Sequence, residues 1–276
     1  METLIRIGHS PDADDAFMFY ALTHGKVAVP GVRIEHVLED IESLNRRAAT
    51  GELEVTAVSC ATYPSIADRY RIMDPGASMG KGYGPIVVAR RMYAERTLRR
   101  KVIAVPGYGT TAYLLLRMAL GDPPVIVVAF DQIPRVVQER QAEGGVLIHE
   151  GQITYAAMGL VKVLDLGERW TKRTGLPLPL GINVTRRDLG EEMASWLSEA
   201  LRASIRYAHD HPDEAVGYAQ RYGRGIDAET CRRFVQMYVN DYTVSLGEEG
   251  RRALETLYRR AVAKGFLGAL PPIDPL

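Results

Sequence analysis

The pattern of apolar and polar positions changes period several times along the chain. Leu4, Ile5 and Ile7 form a short apolar run. It ends at Gly8-His9-Ser10-Pro11-Asp12-Ala13-Asp14-Asp15, and an apolar helical run (Phe17, Met18, Tyr20, Ala21, Leu22) follows. This order predicts strand, sharp turn, helix. Residues 33–37 alternate with period two, residues 39–49 carry Ile41, Leu44 and Ala48 at helical spacing, and residues 54–59 read as a further strand. Strand, helix, strand in that order predicts parallel pairing through a right-handed crossover. Glycines at 76, 80, 82 and 84 mark a flexible loop ahead of a strand at 85–89.

A second alternating unit starts near residue 100. Strands are predicted at 101–105, 146–148 and 161–165, and helices at 110–120 and 132–143. Residues 125–130 are a near-continuous β-branched run, the mark of a strand covered on both faces. After a last strand-like stretch at 180–185 the periodicity is helical only, over about 191–209, 212–222, 227–240 and 247–264. The sequence therefore predicts an α/β protein of two lobes joined by crossing strands near 86–90 and 181–187. The first lobe would hold residues 1–88 plus 184–276, with the C-terminal helices packed back on it, and the second residues 89–183. That is the layout of a type II periplasmic-binding-protein-like fold with a ligand cleft between the lobes. One continuous doubly wound sheet is the alternative.

Composition narrows the partners. Lys plus Arg number 34 and Asp plus Glu number 34, so no bulk charge attracts nucleic acid or an anionic membrane, and neither is expected as a partner. Cys60 and Cys231 lie far apart in no C-x-x-C arrangement, which argues against a structural disulfide or zinc site and fits a reducing compartment. No apolar run approaches the ~20 residues of a membrane span. The N-terminus lacks the pattern of an export signal, so the expected location is cytoplasmic.

In an open α/β sheet, ligands bind beyond the carboxyl ends of the strands. The polar groups at predicted strand ends are therefore the candidates for chemistry. His149 follows the strand 146–148; it reads either as a general base, with an ordinary pKa near 6.5, or as a ring bonded to backbone or capping the next helix. Gly107-Tyr108-Gly109-Thr110-Thr111-Ala112 opens a helix directly after a strand. Its N–H groups and the Thr110 and Thr111 hydroxyls suit a carboxylate or phosphate, although a plain Thr N-cap explains the same pattern. Ser59, after Ala57 and Val58, either caps a helix or donates to a ligand from the opposite wall. Cys60 reads as a small buried residue rather than a nucleophile. The spacing His9, Asp12, Asp14, Asp15 matches no metal motif, and carboxylates at a helix start are favoured by its dipole. No metal is expected there; Ser10 and Asp14 suit the hydroxyls of a polyol. Neither a P-loop nor G-x-G-x-x-G is present, so no nucleotide cofactor is expected. Leu176-Pro177-Leu178-Pro179-Leu180-Gly181 is stiff and apolar, either a cleft wall or a linker. Tyr207, Tyr218, Tyr238 and Tyr242 recur at core spacing and read as structural.

Several of these segments, in order along nearly the whole chain, resemble the menaquinone-biosynthesis family of the futalosine route. They are Ser10-Pro11 with Asp15 and residues 17–22, Leu38-Glu39-Asp40 with Leu44-Asn45, and Gly84-Pro85-Ile86-Val87-Val88-Ala89-Arg90. Val105-Pro106-Gly107 with Thr110-Thr111-Ala112-Tyr113, Ile148-His149-Glu150 with Thr154-Tyr155, and residues 174–181 complete the set. Within that family the chain looks most similar to the branch that makes 1,4-dihydroxy-6-naphthoate rather than to the chorismate dehydratases. The resemblance implies a two-lobe fold in a cytoplasmic, cofactor-free lyase acting on cyclic dehypoxanthine futalosine, a small-molecule carboxylate. It places the family's base on His149 and its substrate-binding segments on Ala57-Val58-Ser59 and Thr110-Thr111. One turn departs from the branch's pattern: Ser-Pro-Cys-Pro-Asn-Asp is replaced by Ser10-Pro11-Asp12-Ala13-Asp14-Asp15, which adds two carboxylates. A solute-binding module of the same fold and a chorismate dehydratase-type lyase are the competing expectations.

Overall fold

The computed structural model describes residues 2–276. Eleven strands run in chain order: β1 (Thr3–His9), β2 (Val32–Leu38), β3 (Val55–Ser59), β4 (Tyr70–Ile72), β5 (Ser78–Gly80), β6 (Ile86–Ala89), β7 (Ile103–Val105), β8 (Val125–Val127), β9 (Gly144–Leu147), β10 (Val161–Asp165) and β11 (Leu178–Arg186). They form two sheets. The first has the order β2-β1-β3-β11-β4, with β5 also paired to β11; the second has the order β10-β6-β9-β7-β8. β1 pairs parallel with β2 (Ile5 opposite Ile34) and with β3, as strand–helix–strand order requires. β11 runs antiparallel to β3, β4 and β5.

Local signals set these elements. The crossover helix Ile41–Thr50 starts where the Asp40 carboxylate accepts from the Glu42 and Ser43 N–H groups. It stops at Gly51, whose φ of 75° lies in the left-handed region. The run at 125–130 is shorter and less covered than its composition predicts. Only 125–127 is strand, at the sheet edge and paired to β7 alone, and Val127 is 46% exposed. Ile126 and Val128 still pack against the apolar cluster that holds Ile133 and Val137, so one face of the run is used.

The crossings between sheets lie outside the strands expected to carry them. β6 pairs only within the second sheet and β11 only within the first. The chain changes sheets in residues 81–85 and again after the helix Leu166–Thr174. That helix ties the two passages: the Leu166 N–H donates to the Pro85 carbonyl at 3.0 Å, and Trp170 Nε1 donates to the Pro177 carbonyl at 2.9 Å.

One apolar cluster is shared by both sheets, with Val58, Ile182 and Val184 of the first, Val87, Ile103, Val105 and Val146 of the second, and Leu254 and Tyr258 of the helix Gly247–Ala263. A second cluster packs Ile5, Ile7, Phe17 and Val55 against Leu201, Ile205, Val216 and Phe234 of the C-terminal helices. Both cysteines are buried and unbonded, and burial pushes the Cys60 thiol up, which suits packing rather than nucleophilic attack.

The His9 side chain is buried. Its ring stacks on Phe19 at 4.3 Å, and its Nε2 lies 3.1 Å from Nδ1 of His36. Burial, reinforced by His36, pushes His9 down to about 3; burial pushes His36 down to about 4. The folded protein therefore resists protonation that the unfolded chain accepts. This contribution is whole above the unfolded pKa near 6.5 and drains as pH falls toward the folded values. Replacing His36 with Gln is expected to flatten the pH dependence of the urea midpoint between pH 6.5 and 4, by about 1.4 kcal/mol per pH unit. Equal slopes for the two proteins in that window would contradict the assignment.

Candidate functional site

A cleft opens where the ends of β1, β3 and β9 meet the middle of β11. Ser10, Asp14, Ala57, Val58, Ser59, Thr110, Thr111 and His149 all line it, and so do Asp12, Gln152, Asn183 and Tyr238. Of the stiff segment 176–181, which runs into β11, only Leu180 and Gly181 reach the lining.

The turn after β1 supplies the first wall. Asp12 caps the short helix Ala13–Met18, its Oδ1 accepting from the Asp15 N–H at 3.4 Å. Asp15 Oδ2 accepts from the Ser10 N–H at 2.6 Å. Asp12, Asp14 and Asp15 are all buried, and three crowded carboxylates cannot all stay charged. Burial, then the charges of Asp12 and Asp15, push Asp14 well above the usual carboxylate range; burial and Asp12 do the same to Asp15. Burial works upward on Asp12 too, but His149, with smaller help from Asp14, Ser10 and Arg224, outweighs it and holds Asp12 low.

Asp14 thus stabilises the fold only where it stays protonated, and its contribution is lost as pH rises above about 4, the unfolded value. Asp14→Asn is expected to raise stability at pH 7, with the gain vanishing near pH 4. Thermal melts at the two pH values check this; a destabilised variant at pH 7 would contradict it.

The second wall is the helix Thr111–Leu120. Thr110 Oγ1 donates to the Gly107 carbonyl at 2.8 Å and accepts from the Tyr113 N–H at 3.2 Å. Thr111 Oγ1 donates to the Leu180 carbonyl at 2.6 Å and accepts from the Ala61 N–H at 3.1 Å. The hydroxyls expected to serve an anion are therefore occupied in holding the helix start against β11. What remains for a ligand is the pair of N–H groups at Thr111 and Ala112, which a helix start leaves without intrahelical acceptors. Ser59 is no helix cap. Asn45 grips it twice, Oδ1 accepting from the Ser59 N–H at 2.9 Å and Nδ2 donating to Ser59 Oγ at 3.2 Å. The Ser59 hydroxyl proton is left to donate.

His149 closes the third side. Its φ of 57° is left-handed, a conformation costing a side-chain-bearing residue about 1–2 kcal/mol. Its Nδ1 lies 3.1 Å from Asp12 Oδ2, and Phe130 meets the ring edge-on at 4.6 Å. Arg224 backs this corner. It donates to Glu150 Oε1 and to the Pro11 carbonyl, both at 3.0 Å, and lies over Phe130 at 4.5 Å. Tyr238, read from its spacing as structural, also reaches the cleft and donates to Gln152 Oε1 at 2.7 Å. Ser10 Oγ, Asp14 Oδ1 and His149 Nε2 are buried yet have no hydrogen-bond partner among the described residues.

Asp12, Asp14 and His149 each offer one donor atom within a 4.8 Å spread, the one such group of three among the described residues. The carboxylate–imidazole contact within it has ordinary hydrogen-bond length.

Fold and cleft together define an α/β protein of the periplasmic-binding-protein-like class. Its fold matches the alkanesulfonate-binding protein SsuA of Xanthomonas axonopodis pv. citri, bound to MOPS, with a TM-score of 0.72 at 11% identity over 97% of this chain and 95% of that one. A crystal structure of a protein from Archaeoglobus fulgidus is much nearer, at TM-score 0.92 and 52% identity over 96% of this chain and 98% of that one. The chain belongs to the menaquinone biosynthesis family, whose model matches residues 5–263. It is 46% identical to the 1,4-dihydroxy-6-naphtoate synthase of Thermus thermophilus over 98% of each chain. The enzyme of that name from Streptomyces coelicolor is 37% identical over 97% of this chain and 96% of its own.

Proposed function

We propose that this protein is a lyase of menaquinone biosynthesis that forms 1,4-dihydroxy-6-naphthoate from cyclic dehypoxanthine futalosine, with His149 as general base and no cofactor. The observation that carries the reading is the position of the His149 ring. Its Nδ1 is occupied by Asp12, and its Nε2 is buried without a partner among the described residues, in the cleft that Thr111 and Ala112 also line. An imidazole there takes a proton from a ligand held at the helix start.

The substrate's carboxylate fits the Thr111 and Ala112 N–H groups, with Thr110 holding that helix start in shape. Its hydroxyls fit Ser10, Asp14 and the Ser59 hydroxyl, and its rings lie on Ala57 and Val58. Proton abstraction by His149 is followed by loss of the sugar-derived fragment and aromatisation of the new ring. The two sheets mark two lobes, best divided in the crossing segments near 81–85 and 175–177, and closure between them excludes water. Among the described residues no helix is long and apolar enough to cross a membrane, and the proposed location is cytoplasmic.

Purified protein mixed with cyclic dehypoxanthine futalosine should release the naphthoate, followed by its absorbance and mass. Substrate that binds but is recovered unchanged would favour a solute-binding role. Turnover of chorismate to an enolpyruvyl benzoate would move the chain to the dehydratase activity.

A further inference from the structure

We propose that Asp12 is the positioning residue of the His149 base: its Oδ2 fixes the ring's tautomer and aim, leaving Nε2 as the proton acceptor toward the cleft. This inference rests on the reading of His149 given above.

Four observations support it. The Asp12 carboxylate divides its two oxygens, Oδ1 to its own helix start at 3.4 Å and Oδ2 to the His149 ring at 3.1 Å. The better contact is thus the one to the ring. Asp12 is 1% exposed, so water does not compete for that contact. The ring is confined by the edge-on contact with Phe130, which Arg224 covers in turn. The backbone of His149 is held in the left-handed region, so the loop maintains a strained turn that delivers this side chain to Asp12. A carboxylate on Nδ1 requires the hydrogen there and leaves Nε2 as the basic nitrogen.

The charged and titratable groups around the pair fit this division. Asp14 and Asp15 flank it from the same turn, Glu150 is paired with Arg224, and Arg224 also holds the Pro11 carbonyl beside Asp12. Asp12 is the member of the acidic turn within reach of the ring's Nδ1.

The test uses Asp12→Asn and Asp12→Ser. Both residues cap helices as well as Asp does, so a purely structural role predicts near-normal kcat for both. The proposal predicts a fall in kcat of about a hundredfold or more in each, with KM moved less than about threefold. Imidazole-¹⁵N spectra of the full-length protein, with the 149 signals assigned by their loss in His149→Gln, give a readout independent of turnover. Wild type should show a protonated Nδ1 and a bare Nε2, and Asp12→Asn should reverse or mix the two. Unchanged kcat in both variants, or an unchanged tautomer in Asp12→Asn, overturns the proposal. So does activity that disappears with a chelator and returns with a divalent cation, because the pair would then be a ligand set. If wild type turns over, His149→Gln does not and the Asp12 variants do, the inference fails alone. If wild type itself is inactive, the functional reading fails and the spectra decide the pairing by themselves.

Discussion

Replacing His149 with glutamine is expected to lower kcat by about a thousandfold or more while product still binds within a few-fold of the wild-type affinity. General base catalysis by a positioned imidazole contributes roughly 10²–10⁴-fold, and glutamine has no basic nitrogen. The proposed binding contacts are elsewhere, at the Thr111 and Ala112 N–H groups and at Ser59, whose geometry is fixed by Leu180 and Asn45 rather than by the ring. Glutamine is of similar length and keeps a polar group near Asp12, so the cleft should not collapse. Titration of the naphthoate into both proteins by calorimetry, beside steady-state rates, separates the two effects. Equal rates would remove His149 from the chemistry; loss of binding together with rate would make it a ligand contact.

Gly167→Ala is expected to be the most damaging small change to the fold. A Cβ at this position would lie 2.1 Å from the carbonyl carbon of Tyr83, 2.4 Å from its oxygen and 2.3 Å from the Gly84 nitrogen. These are backbone atoms, which cannot rotate aside. Relief requires the helix Leu166–Thr174 to move off the 81–85 passage, and the Leu166 to Pro85 hydrogen bond runs directly between them. Overpacking of this kind costs about 3 kcal/mol or more, which at this chain length lowers Tm by roughly 6 °C or more. Gly217→Ala is the control. Nothing lies within 4 Å of its added Cβ, and it sits inside the helix Pro212–Ala219. That change should stabilise by about 0.5–1 kcal/mol, because glycine weakens a helix interior. Similar melts for the two variants would mean that the crossings are not held together as described.

The regular parts of the fold were legible because burial imposes a period on the sequence. β2, the helix Ile41–Thr50 and the long helix from Glu191 each bury one consistent face, and β3 is a short run buried throughout. Elements without such a face leave no period to read. β4 and β5 have three residues each, too few to show alternation. The helix Leu166–Thr174 buries only Leu166, Gly167 and Trp170, so Glu168, Arg169, Lys172 and Arg173 dominate its pattern. The predicted crossings at 86–90 and 181–187 misplaced the passages because an apolar strand is indifferent to which sheet it joins.

The candidate site divides in the same way. Residues at strand ends (Ser10, Ser59, His149) and at the helix start (Thr110, Thr111) were readable because position along the chain predicts position at the cleft. Partnerships were not. Asp12 meets His149, and Arg224 meets Glu150 and Pro11, across long separations that no local spacing encodes. The occupied hydroxyls of Thr110 and Thr111 were equally invisible, since their acceptors include a carbonyl on β11. Tyr238 was placed correctly in the packed interior, but that interior borders the cleft.

The most direct measurement is a crystal structure of the His149→Gln protein with cyclic dehypoxanthine futalosine. The account predicts the ligand's carboxylate oxygens within about 3 Å of the Thr111 and Ala112 nitrogens, with the atom that loses its proton beside residue 149. A carboxylate bound away from that helix start, or a reacting atom turned from residue 149 toward Ala57 and Val58, would contradict it.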